Sequence, residues 1–165
     1  MNTRGWMWLV VLGLVGMVTA GCATMMAEKP TLYERLGGKE EIHKLVDDFV
    51  GRLAKDPSFE ARFTNSPRLK RYLDAKMPPP TARALALAPL QAHLAEQICE
   101  AAGGPCGYVG KSMNEAHAGM GITSAEFDAT VKHFVASLDK FKVPEDAKTE
   151  LLAILGSLKK DIVEK

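Results

Sequence analysis

The stretch "GGPCGYVGKSMNEAHAGMGIT", residues 103–123, decides how the chain is read. Gly103, Gly104 and Pro105 close whatever helix precedes them, since glycine reaches left-handed backbone without strain and proline cannot continue a helix. The run "KSMNEA" then starts a short helix that ends at His117, after which Gly119 and Gly121 release the chain. A histidine at the end of a short, glycine-released helix can be aimed at a ligand without the constraints of a long one. The same residue also reads as a surface histidine, so the segments on either side must decide.

Upstream, Thr81 to Ala102 reads as a helix entered or bent at Pro89, with Leu90, His93, Leu94, Gln97, Ile98 and Ala101 along one side. Downstream, Thr123 and Glu126 form a capping box ahead of Phe127, Val131, Phe134, Val135, Leu138 and Phe141. Pro144 opens a last helix with Leu151, Leu152, Leu155, Leu158 and Ile162 inward. Nearer the start, "TLYERLGG" is a second capping box, Thr31 with Glu34, stopped by Gly37 and Gly38. Ile42, Leu45, Val46, Phe49, Val50 and Leu53 then recur at helical spacing with one buried stripe. Asp56 with Pro57, and Ser66 with Pro67, each pair an N-cap with a proline at the first helical position. "MPPP" at 77–80 ends the second of these helices. No alternating β-branched run is present, so the spacing predicts an all-α domain of six or seven helices.

The first residues do not belong to that pattern. Arg4 precedes fifteen uncharged apolar residues, Trp6 to Ala20, followed by Gly21 and Cys22. That is the layout of a secretory signal, short for a bilayer span, and small residues before a cysteine resemble the bacterial lipoprotein signal. Residues 1–21 are expected to be a signal peptide with Cys22 as lipidation candidate, and an uncleaved anchor helix is the other reading. Thr19 departs from the lipoprotein pattern, which usually has a bulky aliphatic residue there. Residues 22–30 read as a tether and 31–165 as the folded domain. The expected location is exported, as a membrane-anchored lipoprotein or in the periplasm. Arg4 is the one charged side chain in residues 1–21, so the remainder carries 20 basic and 20 acidic groups. Such a balance gives no basic face for nucleic acid.

Motif chemistry excludes much. The chain has no G-x-S-x-G, no phosphate-binding glycine loop, no H-E-x-x-H and no C-x-x-C-H for covalent haem attachment. Three cysteines are too few and scattered for a zinc site. Cys99 and Cys106 flank a helix end and either bridge, as an exported protein allows, or stay free. Of four histidines, His43 reads as solvated and His133 as a partly buried residue at the core edge. His93 lies on the apolar side of its helix, where an unpaired imidazole is costly to desolvate. Two inward histidines, His93 and His117, suggest a metal or a haem, because haem iron takes an axial imidazole and porphyrin needs an apolar slot. Two satisfied core histidines fit the same residues.

The combined pattern goes further. "LYERLGG" (32–38), Phe63 thirteen residues after Val50, "GGPCGYVG" (103–110), "MNEAHAGMGIT" (113–123) and "FDATVKHFVASLDKFKVPED" after it occur in this order. Together they resemble the truncated haemoglobins, specifically group I, from Thr31 to about Val163. The resemblance implies a two-over-two helical sandwich around a non-covalently held haem b. His117 matches the proximal iron ligand and Phe63 the aromatic packed on the haem face. Tyr108 and Met113 match the proximal edge of the pocket. Counting back from Gly103 places Leu90, His93 and Leu94 on the distal helix, with His93 as a possible sixth ligand. At Val50 many group I members have a tyrosine that donates to bound oxygen, and valine has no donor. His93 is then the clear distal donor unless Tyr33 or Gln97 reaches in. An insertion of roughly twenty residues, about 68–88, separates this chain from compact members. The expected function is reversible binding of a diatomic gas, O2 with NO or CO as further ligands. The alternatives are a bis-histidyl electron-transfer or redox-sensing protein at the cell envelope, and an NO dioxygenase or peroxidase-like enzyme needing a reductase or electron donor.

Overall fold

Thr31 starts the first helix as its sequence predicts. Its hydroxyl accepts from the Glu34 amide while the Glu34 carboxylate accepts from the Thr31 amide at 2.8 Å, so two donors at the helix start are satisfied reciprocally. That helix, α1 (Leu32–Arg35), stops at Gly37, whose φ of +87° is left-handed. The computed structural model describes residues 29–65 and 67–164, and within them the side chains of all but residues 63, 64, 68, 69, 72 and 73. The expected signal segment 1–21, Cys22, the expected tether up to residue 28, the expected Ser66 cap and the Phe63 ring lie outside the described residues.

The next helix, α2 (Gly38–Leu53), buries all six residues of its expected stripe, Ile42, Leu45, Val46, Phe49, Val50 and Leu53. Two short helices follow, α3 (Pro57–Thr64) and α4 (Pro67–Asp74). Asp56 caps α3 through its Oδ1, which accepts from the Ser58 amide at 2.8 Å. The prolines act differently from expectation. α4 already ends at Asp74, and Pro79 and Pro80 occupy the first positions of α5 (Pro79–Ala101), where their missing amides leave no hydrogen bond unmade. Pro89 sits inside α5 without ending it.

The remaining segments are α6 (Met113–His117), α7 (Ser124–Lys140), α8 (Glu145–Ser157) and α9 (Lys159–Ile162). Among the described residues there are thus nine helical segments rather than six or seven. Short α1 and α6 form as read, and the last expected helix breaks at Leu158. Among the described residues no helix is long and apolar enough to cross a membrane.

α2 packs on α5 and on α7, and α7 packs on α8, which gives two helix pairs layered one on the other. The Phe49 and Phe134 rings meet edge to face at 5.1 Å between α2 and α7. Ser137 is fully buried at the same junction, and its hydroxyl donates to Asp48 at 2.8 Å. Most of the span expected as an insertion forms α4 and the start of α5, and Arg83 there donates to the Ala54 carbonyl at 3.2 Å, tying it to the end of α2.

Candidate functional site

The site is built where α5 ends. Gly103, at φ +78°, donates its amide to the Glu100 carbonyl at 2.9 Å, and Gly104 donates to the Cys99 carbonyl at 2.8 Å. This pair of bonds satisfies the last carbonyls of the helix and turns the chain sharply. A Cβ on Gly104 would lie 2.7 Å from Cys99 Sγ and run into the Tyr33 ring, so only glycine fits there. Cys99 and Cys106 are bonded as a disulfide across this turn, with Cα atoms 5.8 Å apart. The staple delivers Tyr108, whose hydroxyl donates to the Lys111 carbonyl at 2.9 Å and whose ring stands edge-on to His93 at 6.1 Å.

Ser112 starts α6 by a capping box. Its hydroxyl accepts from the Glu115 amide, and the Glu115 carboxylate accepts from the Ser112 hydroxyl at 2.7 Å and amide at 3.1 Å. Those bonds hold the Glu115 carboxyl below its ordinary range. The S-x-x-E spelling at 112–115 carried this signal in the sequence. One turn on, His117 Nδ1 lies 2.8 Å from the Met113 carbonyl oxygen. A carbonyl only accepts, so Nδ1 carries the ring proton and Nε2 keeps its lone pair.

His117 lines a cavity of about 450 Å³, in the size range that holds cofactors. Val50, Leu90, His93, Leu94, Tyr108 and Met113 line it as well, so the structure brings together every predicted site residue whose side chain it describes. Phe63 lies in α3, and its side chain falls outside the described residues. Further walls come from Phe49, Phe59, Ile98, Phe134, Ile154 and Leu155. Sequence periodicity assigned several of these to the core, because a core stripe and a cavity wall have the same spelling. Leu90 and Met120 also line the cavity and are exposed, at 46% and 42%. Apolar side chains of this size at a cavity wall favour an apolar occupant.

Two expectations change. His93 lies on the cavity wall but is exposed, not inward, with Tyr108 rather than a core group beside its ring. Gln97 reaches the cavity and donates to Met113 Sδ at 3.7 Å, whereas Tyr33 does not line it: its hydroxyl accepts from the Lys39 amide at 3.1 Å. His43 is half-buried rather than solvated. His133 is half-buried as expected and lies 2.6 Å from Asp56 Oδ2 with Phe59 against its ring. Hydrogen bonds from the Ser58 hydroxyl and from His133 bring the Asp56 carboxyl down to about 2. Among the described residues no three His, Cys, Asp or Glu side chains cluster as a metal site. A metal held here by His117 would have to bring other ligands with it.

Comparison with known proteins agrees with this geometry. The model of the family described as Bacterial-like globin matches residues 79–164. The chain is similar to a group 1 truncated hemoglobin of Mycolicibacterium paratuberculosis, 28% identical over 136 residues that cover 82% of this chain and 86% of the relative. A group 1 truncated hemoglobin of Synechocystis is 29% identical, over 77% of this chain and 90% of its own. Among solved structures, a truncated hemoglobin from Tetrahymena pyriformis in the Fe(III) form superposes with a TM-score of 0.66 at 24% identity, covering 82% of this chain and all of that one. A 2/2 hemoglobin from Synechococcus, in the cyanomet state with covalently attached heme, gives 0.64 at 25% identity, with coverage of 82% and 100%.

Proposed function

Because the chain belongs to the bacterial-like globin family, we propose that it is a haem-binding protein that takes up a diatomic gas reversibly, with haem b lodged in the cavity beside α6. The observation that carries the reading is the His117 ring. Its Nδ1–H is committed to the Met113 carbonyl at 2.8 Å, so Nε2 is the basic nitrogen left for iron. The residues fit the group: the cavity is wide and mostly apolar, with Leu90 and Met120 exposed on its wall. Once bound, the haem supplies a ferrous iron with affinity for O2, NO or CO.

The chain's own residues do the rest. His117 holds the iron, and Phe49, Val50, Leu94 and Phe134 exclude water from the slot. His93 and Gln97, both on α5, are the hydrogen-bond donors for a polar guest, since Val50 has none. The lack of C-x-x-C-H supports a non-covalent haem, which acidified butanone would extract from the protein. The signal-like layout of residues 1–22 supports a place at the cell envelope. Cys22 carries a lipid that anchors the domain at the membrane of an exported protein, and an electron donor or reductase there keeps the iron ferrous. Mass spectrometry of the mature chain tests this, with diacylglycerol on Cys22 expected.

The His93 position motivates a second reading, in which its imidazole closes the sixth site for electron transfer or redox sensing. The visible spectrum of the ferrous protein separates the two. Five-coordinate, high-spin bands support the gas binder, and sharp low-spin bands support the bis-histidyl form. With His117→Ala, stable haem retention is expected to be lost. Retention with an unchanged spectrum would overturn the assignment of His117, and no Soret band in the unsubstituted protein would overturn the haem itself.

A further inference from the structure

The loop that leaves α6 is held from two sides by residues distant in sequence. Arg62, on α3, donates through Nη1 to the Met120 carbonyl at 2.8 Å and through Nη2 to the Gly121 carbonyl at 3.5 Å. Glu164, just past α9, accepts from the amides of the same two residues, Met120 at 3.1 Å on Oε1 and Gly121 at 3.0 Å on Oε2. Its own amide donates to the Ile122 carbonyl at 2.9 Å. Both backbone groups of Met120 and of Gly121 are therefore taken by a charged side chain. The Met120 amide also lies 3.1 Å from the His117 carbonyl, which connects the loop to the histidine.

The loop needs such restraint. Gly119 and Gly121 sit at φ +73° and +59°, and glycine places little limit on where the chain goes next. Hydrogen bonds to a carboxylate or a guanidinium are stronger than neutral ones, so the two side chains dominate the loop's position. Arg62 is itself fixed, with Nη2 and Nε on Glu126 Oε1 at 2.7 and 3.0 Å. Glu126 in turn takes the Thr123 amide at 2.9 Å at the start of α7. The Thr123 amide and the Arg62 guanidinium bring its carboxyl down to about 2, so the anchor of Arg62 stays charged over the whole ordinary pH range.

We propose that Arg62 and Glu164 form a clamp on the Met120–Gly121 backbone and act as positioning residues for His117, setting the tilt of its ring toward the iron. This rests on the haem reading above. The Ser112 capping box fixes the start of α6, and the clamp fixes its exit, so the helix that carries His117 is held at both ends. Neither side chain touches iron: Glu164 acts through the loop alone, and Arg62, which also lines the cavity, acts on His117 through the Met120 and Gly121 carbonyls.

The test uses the full chain with Arg62→Gln and with Glu164→Ala, and it has two arms. In the haem-free protein, amide hydrogen exchange at Met120 and Gly121 should be about tenfold faster in Glu164→Ala, which removes their charged acceptor, and faster to a smaller extent in Arg62→Gln, which frees the two carbonyls and loosens the loop. In the ferrous, haem-loaded protein, the iron–histidine stretching band should shift or broaden, and haem transfer to an excess of apomyoglobin should be about tenfold faster. Glu164→Gln, which keeps one acceptor and leaves the fold least disturbed, should fall between. Exchange unchanged in both variants would overturn the clamp. Faster exchange with an unmoved band and unmoved haem transfer would overturn the positioning role. No Soret band in the unsubstituted protein would overturn the haem reading and this proposal with it, whereas bound haem with an unmoved iron–histidine band and unmoved haem transfer overturns this proposal alone.

Discussion

Met113 is held at two of its atoms by the two sides of the cavity. Its carbonyl takes the His117 ring from α6, and its sulfur takes the Gln97 amide from α5. A thioether is a weak acceptor, so the Gln97 bond is easily exchanged for a better one to a polar guest. Gln97→Leu is therefore expected to raise the oxygen dissociation rate of the ferrous protein by about tenfold, which corresponds to roughly 1.4 kcal/mol for one lost hydrogen bond. Stopped-flow displacement of oxygen by CO would measure it, and an unchanged rate would mean that Gln97 stays on Met113. His93→Leu should keep haem and change ligand affinity by less, because His93 is exposed and its hydrogen bonds compete with water. At this scale the sequence was informative where chemistry has a fixed spelling. The place of His117 at the end of a short, glycine-released helix was legible, and the structure puts it there, on the cavity wall. The Gln97–Met113 contact was not, because a side-chain bond between two helices depends on how they pack. The exposure of His93 escaped the periodicity argument for the same reason: a stripe of apolar neighbours does not say whether the stripe meets protein or a cavity.

Helices here are set largely by their ends, and those ends were the most readable part of the sequence. The capping boxes at Thr31 and Thr123 formed as spelled, and the one at Ser112 formed from the same S/T-x-x-E pattern. The C-termini are more telling. α5 stops on Gly103 with the same two backbone bonds that stop α7, where Lys142 donates to Asp139 at 3.0 Å and Val143 to Leu138 at 3.0 Å. In α7, however, the left-handed position is filled by Lys142 at φ +54°. A residue with a Cβ is strained there by about 1 kcal/mol or more, partly offset by the greater unfolded-state freedom of glycine. Lys142→Gly should then stabilise the fold by about 0.5 kcal/mol, read as a higher urea midpoint with an unchanged slope. The opposite sign would show that Lys142 makes a contact worth more than its backbone strain. The α5 end carries a second device, the Cys99–Cys106 bond across the turn. Closing so short a loop contributes about 2 kcal/mol in the chain-entropy account, so the double Cys99→Ser, Cys106→Ser variant should lose about that much stability. Its thermal midpoint should fall, and the His93–Tyr108 contact should loosen with the turn. Spacing alone left that bridge undecided, since two cysteines near a helix end fit a staple and two thiols equally well.

Across the whole molecule, three carboxylates tie α7 or its approach to the first half of the chain. Asp48 on α2 accepts from Ser137 at 2.8 Å and Lys140 at 2.5 Å, Asp56 ahead of α3 meets His133 at 2.6 Å, and Glu126 meets Arg62 at 2.7 Å. These pairs are 89, 92, 77 and 64 residues apart in sequence, which is why no local pattern announced them. Burial pushes the Asp48 carboxyl up, but hydrogen bonds from Lys140, Arg52 and Ser137 outweigh it and bring it down to about 2. All three groups therefore titrate near 2 in the folded chain, against 3.8 for a free aspartate and 4.5 for a free glutamate. Between those limits the unfolded chain binds more protons than the folded one, so stability is present in full above about 4.5 and is lost as pH falls toward 2. Unfolding by urea across that range should show the midpoint dropping steadily with pH. Asp48→Asn tells whether the α2–α7 tie is part of the cause. The variant should be less stable than the parent at pH 7, and the gap should close as pH approaches 2, where the parent's Asp48 becomes protonated too. A gap that stays constant from pH 7 to pH 2 would mean that the lost hydrogen-bond geometry, not the charge of Asp48, accounts for the difference. In that case acid sensitivity would lie with Asp56 and Glu126, the two carboxylates that join α3 to α7, and Asp56→Asn should then show the closing gap.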